Sequence, residues 1–386
     1  MTRVLSIHAD YRCRNTGVCC SSGWDVPVEP RVEDRLRAAL DDGSLCAPGG
    51  TPAPFRAVPD LPHGARVVFH NDARGRCVFL EAGDRSLCGV HRQLGLDHLA
   101  SACRDFPRVV TLSPLGVSIT LSHYCPTAAA LLFRDDRSLT IERDPPAFPP
   151  AWPYEGLDAR ASVPPLLRPG VLMGWEAWAR WEAHSLAVFD RAEMSPEEAL
   201  GLLAAQTDAV RAWRPANGDF GAHLERCLET TPATDVASLS LDECRRGWQV
   251  VAGCVPPGHP VPAPPLGQDE PPGPGTAAAE ARSDGDGGDR AAPVRRWLAA
   301  KAFASWLALQ GEGLRTTVLG LRLALAVLRA EAARGSEESV APGESAGLRE
   351  AIRRADLLLV HLADPEALAR RLSRVEALPG SPLQAW

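Results

Sequence analysis

Cys77-Val-Phe-Leu80, Cys88-Gly-Val-His91, Cys103-Arg-Asp-Phe-Pro107-Arg108 and His123-Tyr-Cys125-Pro126 are four short blocks, each carrying a cysteine, in the single stretch from Cys77 to Cys125. With Cys13, Cys19 and Cys20 near the start of the chain they make a set of seven. Thiolates are soft ligands that suit iron–sulfur clusters and zinc, and four of them in one place are enough for either. The set therefore predicts a metal centre, with a small cysteine-rich domain built around it. The plain alternative is that these are buried free cysteines packing as small hydrophobes.

The spacing is Cys13-x5-Cys19-Cys20 and then Cys77-x10-Cys88-x14-Cys103-x21-Cys125. It is neither the paired CxxC of a zinc ribbon nor the close triplet of a bacterial ferredoxin, so local chemistry has to add to it. Cys125 precedes Pro126 at an expected helix start, where the positive end of the helix dipole favours a thiolate. His123 lies two residues before Cys125 on an expected strand, so both side chains are predicted to share a face. His91 follows Cys88 by three residues, and Arg104 and Arg108 flank Cys103, where they would supply charge and hydrogen bonds to an anionic site. Glu81, Asp84, Asp97 and Asp105 are the nearby carboxylates, and none of them stands out as a base.

Outward from this stretch, the fold class reads as an α-rich α+β protein. In residues 1–145, the cysteine-cluster domain, Val28 to Leu40 has apolar residues at helical spacing behind Pro30. Ala65 to His70 and Arg76 to Leu80 read as strands around an Asn71–Gly75 turn. Arg108 to Leu112 and Gly116 to His123 read as a second hairpin, and Pro126 opens a helix. A run of prolines from Pro145 to Pro153 marks a boundary. Residues 150–254 then carry helical patterns over Val171–Arg191, Pro196–Trp213 and Phe220–Thr230. Val255 to Pro293 holds ten prolines and seven glycines, too little apolar surface to offset chain entropy, so it is expected to be a disordered Pro/Gly linker. Residues 294–386 resume helical patterns over Val294–Gln310, Leu314–Arg334, Gly347–Leu362 and Pro365–Val375, expected to pack with 150–254 as one bundle.

At 386 residues the chain favours two or three domains. A net charge of −7 gives no basic field, which excludes an electrostatic nucleic-acid footprint. The start has no long apolar segment of a signal peptide, and the apolar run from Val318 to Leu328 is too short to span a bilayer. The expectation is a cytoplasmic protein without a membrane or nucleic-acid partner. In that compartment thiols stay reduced, and eleven cysteines cannot all pair.

Taken together, Cys13-Arg-Asn-Thr-Gly17-Val-Cys19-Cys20, Cys77-Val-Phe-Leu, Cys88-Gly-Val-His and Cys103-Arg-Asp-Phe-Pro resemble the CxxCxxCC zinc- or iron-chelating cysteine-cluster family (YkgJ type). Cys19-Cys20-Ser-Ser-Gly-Trp24-Asp-Val26, Cys88-Gly-Val-His91-Arg-Gln-Leu94-Gly95 and Leu121-Ser-His-Tyr-Cys125-Pro126 resemble its flagellin lysine-N-methylase branch. The resemblance covers the first 135 residues or so. It departs at Thr16, where the family usually has a further cysteine, and Cys46, Cys227, Cys244 and Cys254 match no family position.

The resemblance implies a metal site drawn from Cys13, Cys19, Cys20, Cys77, Cys88, Cys103 and Cys125, holding an iron–sulfur cluster (4Fe–4S among the forms) or zinc. It implies transfer of a methyl group from S-adenosylmethionine to a lysine ε-amine of a protein partner with exposed, flagellin-like lysines. The residues themselves add little to the methyl transfer, because no strand leads into a G-x-G-x-x-G turn and helix. The alternative is a non-catalytic metal-chelating or redox-sensing binding module; a third reading makes the metal a structural staple. Trp175, Trp178 and Trp181 could wall a methylated amine, but at helical spacing they read first as packing.

Overall fold

The computed structural model describes residues 1–47, 53–59, 61, 64–81, 87–134, 137–231, 238–257, 291–338 and 344–376. A five-stranded mixed sheet gathers strands from residues 2–158. The expected second hairpin forms its centre, as β5 (Arg108–Ser113) and β6 (Gly116–Leu121), with Val110 opposite Ile119 and Thr111 opposite Ser118. β1 (Thr2–Leu5) lies parallel to β6 and antiparallel to β7 (Ile141–Arg143), and β8 (Leu157–Asp158) lies parallel to β5.

Side chains alternate across a strand, and here each face has its own job. Val4, Val110, Ile119 and Leu121 pack on Tyr11, Ala128 and Phe148. The opposite face is polar and still buried, so its groups must find partners. The Thr111 and Thr120 hydroxyls donate to the carbonyls of Ala304 (2.9 Å) and Ala300 (3.1 Å), and Arg3 Nη1 donates to Ser118 Oγ at 2.9 Å.

A smaller sheet orders β2 (Pro27–Val28), β4 (Val67–Phe69) and β3 (Phe55–Ala57), all antiparallel, under helix α1 (Pro30–Asp41), which starts on Pro30 as its pattern predicts. Val28, Val32, Leu36, Phe69 and Phe79 make its core, and Cys77, Cys88 and Cys103 pack against that core. The strand expected over Ala65–His70 is present as β4, but Arg76–Leu80 is not its hairpin partner. Only an isolated bridge joins Asn71 to Cys77. The chain turns instead toward the N-terminal loop, where Cys77 N–H donates to Cys20 O at 2.7 Å. Residues 82–86, with Asp84 among them, lie outside the described residues.

Three short helices follow in the cysteine stretch: α2 (Gly89–Leu94), α3 (Ser101–Asp105) and α4 (Pro126–Leu131). The predicted helix over Val171–Arg191 begins late, because β9 (Leu166–Arg168) and β10 (Val171–Leu172) form a ribbon before α5 (Trp175–Phe189). α6 (Pro196–Arg211) and α7 (Phe220–Glu229) match their patterns. α8 (Leu241–Ala252) answers to a signal not read above, a capping box in which Ser240 and Glu243 exchange bonds of 3.3 and 2.8 Å.

The predicted helix over Val294–Gln310 is two helices, α9 (Ala292–Ala302) and α10 (Leu307–Gln310), broken at Ala304, which has φ of 56°. No glycine or proline marks the break; Glu182 Oε1 accepts the Ala304 N–H at 3.1 Å and Thr111 donates to its carbonyl. α11 (Leu314–Glu338) and α12 (Glu344–Asp356) follow. A π-helical turn, Leu357–Leu362, then replaces the α-helix expected to run to Leu362, and α13 (Pro365–Glu376) ends the described chain.

One hydrophobic cluster takes in Trp248 and Val251 of α8, Trp297 of α9, Leu325 of α11 and Leu372 of α13, together with Leu5, Ile7, Leu132 and Leu139 from the N-terminal part. Residues of the helices before and after 255–293 belong to this one cluster. The boundary near residue 145 does not separate cores, because the sheet spans it. The linker assignment falls largely on 258–290, outside the described residues; at its edges Val255 packs on the core and Ala292 is buried in α9. No helix among the described residues is long and apolar enough to cross a membrane.

Candidate functional site

Two glycines bring the first pair of cysteine blocks together. Gly75 has φ of 73° and Gly23 of 75°, conformations that side chains rarely adopt. Gly23 N–H donates to Gly75 O at 3.0 Å, and a Cβ on Gly75 would stand 3.0 Å from Gly23 Cα. This contact seats the turn bearing Cys19 and Cys20 on the loop bearing Cys77. A bridge between Leu80 and Cys88, and the bond from Gly89 N–H to Phe79 O at 2.7 Å, then fold the third block back onto the second.

The result is a cavity of about 410 Å³ lined by Cys13, Cys19, Cys20, Cys77, Cys88, Cys103 and Cys125. All seven cysteines of the predicted set reach it. Of the four set aside, Cys244 and Cys254 are buried in the helical core, Cys227 lies on α7 against the cluster of Trp178 and Trp181, and Cys46 is exposed.

Within the cavity the thiols fall into two groups. Cys19 Sγ and Cys20 Sγ are 3.8 Å apart, close to the edge of about 3.8 Å of a tetrahedron with metal–sulfur bonds of about 2.3 Å. Cys20 also bonds to Cys88, and Cys19, Cys77 and Cys88 act electrostatically on Cys103. Cys13 and Cys125 interact instead with each other and with Tyr11, whose hydroxyl lies 3.7 Å from Cys125 Sγ.

Ionisation in the larger group is uneven. The bond from Cys20, with the N–H groups of His91 and Val90 at the α2 start, pulls Cys88 down to about 7 despite burial, and the same partner lowers Cys19. Its bonds to Cys19 and Cys88 raise Cys20 itself, and burial pushes Cys77 to about 12 and Cys103 well above its usual value. Neighbouring thiolates obstruct one another's ionisation, an obstruction that a bound cation relieves. Among the described residues no three His, Cys, Asp or Glu side chains already stand in an arrangement able to hold a metal ion. The donor set fits one in type and number: five soft sulfurs in mutual contact or in each other's field.

The residues singled out around the cysteines fare differently. His91 and Arg108 line the cavity. Arg104 does not; it pairs with Asp105 and Glu155, both at 3.2 Å, because α3 turns it outward. Asp105 lines the cavity but is committed to Arg104 and to Trp152 Nε1 at 3.2 Å. Glu81 is bound to Arg92, and Asp97 is exposed on a short turn.

His123 is a correction. β6 ends at Leu121, so the strand that would align it with Cys125 is absent, and its ring is fully buried on the other side. There its Nε2 meets His8 Nε2 at 3.1 Å and Asp356 Oδ2 accepts its backbone N–H at 2.5 Å. Cys125 does stand at the N-cap position of α4, where the N–H groups of Ala128 and Thr127 favour its thiolate, but burial outweighs them and its pKa rises. Trp178 and Trp181 stack at 5.3 Å in a buried cluster, which makes the tryptophan repeat packing.

Three lining residues were missed: Tyr11, Trp24 and His361. Trp24 stands 4.7 Å from the His361 ring and 5.7 Å from that of Phe106. His361 comes from the π-helical turn, bonds through Nε2 to Ser122 Oγ at 2.7 Å and is held by burial at about 4, hence neutral. Nothing local in the sequence links it to the cysteines. No family model, curated protein or solved structure matches the chain.

Proposed function

We propose that this chain is a thiolate metalloprotein with an iron–sulfur or zinc centre held by four of Cys19, Cys20, Cys77, Cys88 and Cys103, and that it acts as a protein-lysine methylase of the type its cysteine blocks resemble. The observation that supports the centre is the convergence of widely separated thiols on one cavity, with the remaining four cysteines elsewhere. When bound, such a centre supplies a Lewis acid or an electron carrier. Around it the chain supplies Arg108 as positive charge, and Trp24 and Phe106 as apolar wall. His361 adds a neutral imidazole able to accept a hydrogen bond from an amine. S-adenosylmethionine would be the methyl donor and a lysine of a flagellin-like protein the acceptor.

The sheet favours a second reading, a metal-holding binding module without catalysis. Its order β7-β1-β6-β5-β8 is mixed, unlike the doubly wound parallel sheet that carries nucleotide-type cofactors at its switch point.

Anaerobic purification followed by a visible spectrum and assays of iron, sulfide and zinc on one sample tests the centre. The expected result is a stoichiometric metal that falls sharply in Cys20→Ala and Cys103→Ala and is unchanged in Cys227→Ala. Equal metal content in all three variants overturns the assignment. With the metal intact, labelled S-adenosylmethionine and a lysine-bearing protein separate the two readings, since label on lysine ε-nitrogen supports the first and none supports the second.

A further inference from the structure

A second cavity, of about 370 Å³, lies where the sheet, at Thr120, meets α9, α10, α11 and the π-helical turn. That is more than twice the roughly 150 Å³ of an apolar cavity that stays dry and takes up benzene. Small side chains make its room, Ala300 and Ala304 at α9 and Gly320 and Ala324 on α11, and Phe303, Trp306 and Leu321 supply apolar wall. Two glycines let neighbouring groups close on it. A Cβ at Gly320 would meet Leu307 Cδ1, and one at the exposed Gly156 would meet the carbonyl oxygen of Val110.

Both irregular stretches of the helical region converge on this chamber. One is the α9–α10 break, where Ala304 has φ of 56°, Glu182 accepts its N–H and Thr111 donates to its carbonyl. The other is the π-helical turn, which places Leu359 and Val360 on the chamber. Continuous helix is the simpler outcome of both apolar patterns, and departures of these two kinds concentrate at binding sites.

Among the described residues the charged side chains that line the chamber are Arg108, Glu155 and Lys301, and none puts a free charge inside it. Arg108 shares a strand face with Val110, and its guanidinium lies over Phe148 and Trp152, at 5.6 and 5.5 Å, on the side of the sheet away from Thr120 and Ala300. Glu155 stands 55% exposed at the rim, on Arg104 at 3.2 Å, and Lys301 Nζ is neutralised by the buried Asp356 Oδ1 at 2.6 Å. His361 is neutral, its Nε2 bonded to Ser122 Oγ at 2.7 Å. An ion entering such walls gives up water and gains no partner, whereas an uncharged apolar molecule gains burial. We infer that this chamber is a binding site for a small uncharged molecule with an apolar body, separate from the thiol-lined cavity. The inference does not depend on which metal the thiols hold or on methyl transfer.

The test is calorimetric titration of the full-length, metal-bearing protein with 1-octanol, sodium octanoate and octylammonium chloride, which share one chain and differ in charge. Octanol is expected to bind saturably, and each ion at least about tenfold more weakly. Ala300→Leu and Ala324→Leu, on different helices, each narrow the chamber. Both should weaken octanol about tenfold or more and leave metal content unchanged, with thermal unfolding showing that the variant is folded. The comparison of the three probes on the unaltered protein needs no variant. Lack of saturable octanol binding, an ion that binds as tightly as octanol, or a folded variant that keeps full octanol affinity would each overturn the inference.

Discussion

Arg3 and Glu182 meet at 2.5 Å in a position nearly closed to water, 9% and 1% exposed. Neither charge would be tolerated there alone, and each is further satisfied: Arg3 by Ser118 Oγ, Glu182 by the N–H of Ala304. The pair thus ties β1 to α5 and to the break after α9, which walls the second cavity. A buried pair adds little net stability, but removing one partner strands the other at a cost of about 3–5 kcal/mol. Glu182→Ala is therefore expected to lower the urea midpoint by that equivalent and to free Ala304 from its positive φ. A change within the range of an exposed pair, under about 1 kcal/mol, would show that water reaches Arg3. None of this was legible in the sequence, where Arg3 and Glu182 are ordinary charged residues far apart.

At the scale of elements, legibility followed the range of the contact. α1, α6 and α7 and the β5–β6 hairpin were readable because apolar periodicity, Pro30 or Pro196 at the first helical position and the close sequence spacing of the two strands are all local. Arg76–Leu80 misread because it meets Ala65–His70 only at the turn, where Val78 N–H donates to His70 O at 2.9 Å, and then pairs with the loop at Cys20, a long-range contact made beside Gly23 and Gly75. That contact yields a prediction with its own control. Gly75→Ala and Gly43→Ala both place a side chain at positive φ, 73° and 77°, at about 1–2 kcal/mol each. Only at Gly75 does the new Cβ meet backbone, at Gly23 Cα; at Gly43 there is nothing within 4 Å. Gly75→Ala should therefore part the Cys20 and Cys77 loops and lower metal content measured after anaerobic purification, while Gly43→Ala keeps its metal. Loss of metal in both would assign the effect to general destabilisation.

For the whole molecule, the seven cysteines were legible as a set, but the division of the chain was not. A composition change near residue 145 reads as a domain boundary, yet the hydrophobic contacts ignore it. Leu5, Ile7, Leu132 and Leu139 are buried among residues of α6, α8, α9 and α11. Asp356, at the end of α12, accepts bonds from His123 N–H and from Trp297 Nε1, and is held ionised by Lys301 and His123 against the penalty of its own burial. His361, which follows it, closes one wall of the cysteine cavity. A fragment of residues 1–145 would lose the cover of these four apolar side chains, each worth about 1.5–3 kcal/mol when fully buried. That sum is comparable with the whole stability of a small domain, about 5–15 kcal/mol. The fragment is accordingly expected to lack a cooperative thermal transition and to hold less metal than the full chain. The same loss should not follow from Cys227→Ala in the full chain, where the core is intact. A fragment that unfolds cooperatively with full metal content would restore the boundary that the prolines suggest and confine the helical region to a separate role.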